Sequence, residues 1–280
     1  MRARAWILIV ALAACDKLPG AEPKTDGAAK AAEPTKDDKG SAAGAADAPQ
    51  SLPDASGLLD KAVAAVGGKD KIAAVESFYV EGKLAVSGQN ITGDMKLWWK
   101  GGDFYTEQTM IGIGTIMGGK QGDKIWSQDP INGLRVLSGT EAEQYSWGSS
   151  LLLAAEWQRF FTGAQTVAER KLDGRQVYDV ELTSKSGAKV LLTFDAESGL
   201  QVAQSFKGST PLGEMPIAVK IEDYREVGGL KLPHKQVTDA KLAEATQTIT
   251  KLELNGPIDT AKFAMPTGGA EVVTPPPSAG

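Results

Sequence analysis

The chain has 280 residues, is 42% hydrophobic, and carries a formal charge of −5 from 35 acidic and 30 basic side chains. Its one cysteine and one histidine exclude a disulfide framework and any metal site built from several such ligands. The acidic balance argues against a surface that tracks nucleic-acid phosphates, so no nucleic-acid partner is expected.

The first residues stand apart in composition. Arg2 and Arg4 precede an uninterrupted apolar run from Trp6 to Ala14, which ends in the small pair Ala13-Ala14 before Cys15. This order reads as a secretory signal over 1–14. The apolar run is about half of the ~20 residues that a membrane-spanning helix needs. Leu12-Ala13-Ala14-Cys15 resembles the bacterial lipobox, which implies acylation of Cys15 and cleavage just before it; an ordinary secretory signal with an incidental cysteine is the alternative. Cleavage there would remove Arg2 and Arg4 and move the formal charge from −5 to −7. One acyl chain binds a membrane marginally and two or three hold firmly, since each buried CH₂ contributes about 0.8 kcal/mol. An aspartate after such a cysteine retains lipoproteins in the inner membrane of some Gram-negative bacteria. Asp16 therefore leans the expected address toward the inner membrane, with the outer membrane as the alternative.

From Cys15 to residue 55 the chain is built mainly of Ala, Lys, Asp, Glu, Gly, Pro and Ser, and no aromatic residue occurs between Trp6 and Phe78. Such a segment cannot offset its ordering entropy by apolar burial, and it reads as a tether. A coil of about 38 residues would reach on the order of 35 Å. The final stretch, 267–280, reads as a short loose tail, which leaves 56–266 as one folded domain.

That domain opens with a helix. Leu58, Leu59, Ala62, Val63 and Val66 recur at helical spacing, with Ser56 as the expected N-cap and Gly67-Gly68 as the stop. A short second turn through Ile72 and Val75 follows. The period then changes to two: Phe78, Val80, Leu84 and Val86 share one face, as do Ile91, Met95, Leu97 and Trp99, and "QVYDVEL", "VLLTF" and "PIAVKI" continue the habit. Short glycine connectors around Gly199 and Gly228-Gly229 suit neighbouring antiparallel strands. One apolar segment interrupts them, and the spacing of Leu153, Trp157, Phe160 and Phe161 predicts a helix over 149–161. The expected class is α+β, a long curved antiparallel sheet with helices on its inner face.

Three strings look catalytic. "GTIMGGKQ" follows the phosphate-loop pattern until Gln121 replaces the hydroxyl residue that would hold magnesium, and Gly122-Asp123 is a turn rather than a helix start. Ser186-Gly187-Ala188-Lys189 has serine-acylase spacing, but it lies between two strand patterns and reads as a hairpin loop. His234 could serve as a general base, yet no nucleophile elbow accompanies it, and a half-exposed strand position is the expected reading. No motif calls for a cofactor or metal. The remaining signals are apolar: Met110, Ile111, Ile113, Ile116 and Met117 in "MIGIGTIMGG", together with Leu153, Trp157, Phe160 and Phe161, are candidates to line a greasy cavity. Plain core packing is the competing role for each.

The order of "AVGGKDKIAAVESFYVEGKL", "GDKIW", "LDGRQVYDVEL", "TFDAESGLQVAQ", "IEDYREVGGLKLPHK" and "ITKLELNGPID" resembles the LolA/LolB-like superfamily over most of 67–266. The resemblance implies an incomplete β-barrel of about eleven strands closed by helices around an apolar cavity for acyl chains. It implies a carrier or chaperone for an acylated lipid or lipoprotein and not an enzyme. The alternatives are an envelope sensor that binds a protein partner and, last, a hydrolase that uses His234. The anchor is tested directly: Cys15→Ser should move the protein from the membrane fraction to the soluble fraction of lysed cells, and a variant that stays with the membranes would refute acylation at Cys15.

Overall fold

The computed structural model describes residues 51–148, 150–210, 213–240 and 243–267. The expected signal peptide, Cys15, the tether as far as residue 50 and the tail from residue 268 lie outside the described residues. After α1 (Ala55–Val66) and α2 (Lys69–Ala73) come β1 (Ser77–Val86), β2 (Ile91–Lys100), β3 (Asp103–Met110), β4 (Gly114–Gln121), β5 (Lys124–Asp129) and β6 (Gly133–Val136). Two helices, α3 (Gly139–Trp147) and α4 (Leu153–Phe160), lead to β7 (Phe161–Leu172), β8 (Arg175–Ser184), β9 (Lys189–Asp195) and β10 (Gln201–Thr210). Then follow β11 (Gly213–Val227), β12 (Leu230–Asp239), β13 (Glu244–Leu254) and a 3-10 helix, Thr260–Phe263.

Among the described residues thirteen strands form one antiparallel sheet in the order β6-β5-β4-β3-β2-β1-β13-β12-β11-β10-β9-β8-β7. Two meanders, each made of short hairpins, are joined where β1 pairs with β13. The sheet does not close, because β6 and β7 are its two edges. This is the expected incomplete barrel with two more strands than expected. The stretch from Met110 to Val136 is where short strands are easily missed. Gly112, Gly114, Gly122 and Gly133 all take positive φ there, and their turns fold a weakly patterned segment into three brief strands.

The inner face carries the core. Phe78, Val80, Leu97, Trp99 and Phe104 from one meander meet Val180, Leu182, Leu192, Phe194, Leu230 and Leu232 from the other, under Leu59, Val63 and Val66 of α1. Trp99 is fully buried and stacks on Phe78, with ring centroids 5.3 Å apart. The outer face is covered only locally. Tyr79, Trp98, Tyr105 and Trp126 form a cross-strand aromatic row there, capped by Lys251 over Tyr79 and Lys262 over Trp98.

Two helix boundaries differ from expectation. Asp54, not Ser56, caps α1, because its carboxylate accepts from the Gly57 N–H at 3.0 Å while Ser56 already lies within the helix. The expected helix over 149–161 is shorter and does not stand alone: α3 precedes it, and Phe161 is already the first residue of β7. The α3 segment has little apolar periodicity, since it is held by polar contacts described below.

The stop of α1 depends on Gly67, at φ +138, whose N–H and that of Gly68 return to the carbonyls of Ala64 and Val63. A Cβ on Gly67 would sit 2.8 Å from the Gly229 carbonyl oxygen and 2.9 Å from Leu230 Cδ2, whereas one on Gly68 would meet open space. In urea unfolding Gly68→Ala should cost about 1 kcal/mol through its positive φ, and Gly67→Ala about 2–3 kcal/mol through φ and the clash with the β11–β12 turn. Equal costs would show that α1 does not dock on that turn.

Candidate functional site: a cavity under the helical crossover

The connection from edge β6 to edge β7 is made by α3 and α4, so it must cross the open side of the barrel. Helix α3 is fastened at both flanks. On one side the Arg135 guanidinium of β6 donates to both oxygens of Glu141 at 3.0 and 2.8 Å and to Ser127 Oγ of β5 at 3.2 Å. On the other, Gln144 donates to the Lys207 carbonyl at 2.6 Å and accepts from the Ser209 N–H at 2.8 Å on β10. Glu143 also accepts from Ser184 and Ser186 at the β8–β9 turn.

Beneath this crossover lies a cavity of about 860 Å³, counting the space at its open mouth. Trp147, Leu151 and Leu153 form its roof, and Val190, Phe206 and Val219 lie among the residues of its floor. A second, narrower pocket of about 370 Å³, counting the open space at its mouth, adjoins it on the inner face, with Phe78, Val80, Leu97 and Ile249 in its wall. Gln236 lines both cavities. Met95 lines the second cavity and belongs to a small apolar cluster with Leu84, Met110 and Ile116. An apolar track therefore crosses the inner face from the crossover to the β3–β4 corner.

The candidate residues occupy different parts of that track. Leu153 lines the larger cavity, while Trp157, Phe160 and Phe161 pack in the main core. Met110 and Ile116 are buried in the far cluster with Ile113 against it. Ile111 is 71% exposed at the tip of the turn. Strand alternation places Met117 on the opposite face of β4 from Ile116. The structure thus brings the helical candidates together with one another and Met110, Ile113 and Ile116 together at a distance, while Ile111 and Met117 stand apart; the residues between the two groups, Trp147, Phe206, Gln236 and Met95, were not candidates.

The other strings resolve clearly. "GTIMGGKQ" is strand β4, and Ser186 to Lys189 turns from β8 into β9. His234 is buried rather than half-exposed, at 6% of its free area, because its position on β12 faces inward with Leu232 and lines the second cavity. Its Nδ1 lies 2.9 Å from the Leu232 carbonyl, which can only accept, so Nδ1 carries the proton. Among the described residues no group of three or more His, Cys, Asp or Glu could hold a metal ion.

Electrostatically the larger cavity is nearly neutral. Among its described lining residues Lys231 alone carries a charge, and Lys231 is exposed. Burial raises the pKa of Tyr224, whose hydroxyl donates to the Gln201 carbonyl at 2.7 Å and stays neutral. In the second cavity Lys235 is paired with Glu222 at 2.8 Å.

The Arg135 fastening is open to measurement. Arg135→Ala leaves Glu141 without its partner in a largely buried position, so stability should fall by about 3 kcal/mol and hydrogen exchange should rise in α3 ahead of the sheet. Unchanged α3 exchange would show that the helix is held by its other flank alone.

No protein-family model matches this chain, and no curated protein matches it. Solved structures do. A DUF1329 family protein from Desulfovibrio piger superposes with a TM-score of 0.53 at 14% identity, covering 76% of this chain and 98% of that one. A LolA superfamily protein from Nitrosomonas europaea gives 0.52 at 16% identity, again covering 76% and 98%. With the open antiparallel sheet, the helical crossover and the cavity between them, these likenesses establish that the chain has a LolA-like fold.

Proposed function

We propose that this protein is anchored in the cell envelope, on the periplasmic side, through acylated Cys15, and that it binds acyl chains of a lipid or lipoprotein beneath the α3–α4 crossover as a carrier or chaperone. The observation that carries this reading is the cavity of about 860 Å³ on the inner face, with an apolar roof and floor and an open mouth. Its lining is mainly aliphatic and aromatic. Burial of a dozen methylenes would contribute up to about 10 kcal/mol before the costs of association, so a dry groove suffices and no reaction chemistry is needed. Among the described residues no helix is long and apolar enough to cross a membrane, and the proposed attachment is the acylated cysteine at the far end of the tether. The Asp16 lean toward the inner membrane belongs to the same proposal.

Protein purified from membranes should carry copurified lipid in native mass spectrometry and, once delipidated, should take up a fluorescent fatty acyl probe. Leu153→Glu, which places a carboxylate in the half-buried roof, should lower that uptake at least tenfold with the fold intact by circular dichroism. Absence of bound lipid together with no uptake by the parent protein would refute the reading.

A further inference from the structure

The hairpin of β10 and β11 outruns the strands beside it. Pairing of β10 with β9 ends at Phe206 and Val190, and pairing of β11 with β12 ends at Ala218 and Asp239, whereas β10 and β11 stay paired as far as Thr210 and Gly213. Residues 207–210 and 213–217 therefore make a two-stranded arm with an edge on each side. A strand edge invites another strand to add to it, so each edge needs a device that closes it. The two devices differ. Lys207 turns its carbonyl away from β11, so its cross-strand partner Pro216 turns its backbone away from β10 and has no N–H to offer along the edge toward β12. That edge is closed permanently.

The β10 edge is closed by a side chain. The Gln144 amide of α3 donates to the Lys207 carbonyl at 2.6 Å and accepts from the Ser209 N–H at 2.8 Å. These two backbone groups flank Gly208 on one edge, and a residue of a parallel neighbouring strand would bond to such a pair with its own N–H and C=O. A side-chain amide thus stands in for the peptide groups of a missing strand. It is a removable closure, because α3 keeps its attachments through Arg135–Glu141 and Ser184–Glu143 without it.

Beside this edge runs an open groove of about 1390 Å³, counting the space at its mouth, whose lining includes both Gln144 and Lys207. Leu191, Ser205 and Ala218 form one cross-strand row of that lining, and Lys207 and Pro216 form the next. Strand alternation sets these rows on the opposite face from Val190, Phe206 and Val219 of the larger cavity. The charged residues of the groove are of both signs, with Glu181 paired to Lys189 at 2.7 Å, so the groove does not select an anion. Small and aliphatic side chains between them suit the alternate side chains of an extended polypeptide.

We infer that the β10 edge is a strand-addition site for an extended segment of a protein partner: the segment replaces the Gln144 amide at Lys207 and Ser209 and lays every second side chain along the groove. The inference is independent of acyl binding, which concerns the other face of the same strands.

The test uses the full-length protein and a random octapeptide library displayed on phage, selected against Gln144→Ala, and the recovered peptides are then synthesised. A recovered peptide should bind Gln144→Ala about tenfold more tightly than the parent protein, since its competitor is gone. Ser209→Pro removes the N–H on that edge and leaves the arm paired, because that N–H points away from β11; it should weaken binding at least tenfold in the parent background, while Ser209→Ala, which keeps the N–H, should bind as the parent does. N-methylation of every second peptide residue should abolish binding in one register and spare it in the other. Failure to recover any peptide, equal binding to Ser209→Pro and Ser209→Ala, or tolerance of N-methylation in both registers would overturn the inference. So would a Gln144→Ala protein that dimerises and returns to monomer with Ser209→Pro added, because the occupant would then be a second copy of this chain.

Discussion

The inner face of the sheet is apolar and the sheet does not close over it, and the rest of the structure follows from that constraint. A closed barrel would hide this face by meeting itself, but here β6 and β7 remain apart and the chain between them must bridge the gap. The bridge is α3 and α4, held by an Arg135–Glu141 pair at one flank and by Gln144 at the other. Polar fastening at both ends leaves the underside of the bridge free to be apolar without being filled. The cavity is therefore a result of how the crossover is tied, since side chains pointing down from α3 and α4 meet the floor only in part.

A space held open in this way would be expected to be uniformly greasy if bulk hydrophobicity were all that it had to provide. Instead, the inward parity of β12 reads Leu232, His234, Gln236 and Thr238, and Gln247 faces Gln236 from β13. Neutral hydrogen-bonding groups are thus interleaved with apolar ones along a buried surface from which ionised groups are nearly absent. Such a surface costs stability wherever one of its polar atoms goes unmatched. The far cluster of Leu84, Met95, Met110 and Ile116 differs from this cavity in being almost wholly apolar.

Much of the fold was legible from two periods. The α1 spacing, the alternation in β1 and β2 and the glycine turns all found their places, because each depends on neighbours a few residues away. What could not be read was anything set by the crossover. Helix α3 lacks a clear apolar stripe, since Glu141, Glu143 and Gln144 hold it through partners 6 to 65 residues distant. Apolar runs point to Leu153 but not to Trp147, Phe206 or Gln236, each on a different element. The sequence does carry one signal: Gln236 shares parity with Leu232 on a strand whose other face is wetter, and a polar residue on the buried parity is a stronger pointer than another leucine. His234 lies on that parity too, which is why it is buried despite its flanking proline and lysine.

An open sheet of this kind must also avoid pairing its free edges with another copy. Strand β6 is only four residues long, which offers little ladder to extend. Strand β7 is long, but its pairing with β8 is broken by irregularities between Phe161 and Gly163 and between Thr166 and Ala168, and its far end carries Glu169, Arg170 and Lys171. These devices act against the same event: addition of a strand at either edge, which would extend or close the sheet and change the curvature over the cavity. The gap that the crossover spans is thus protected twice, by helices across it and by edges that resist being joined. A fold that keeps its barrel incomplete at this cost retains an open mouth beneath the crossover.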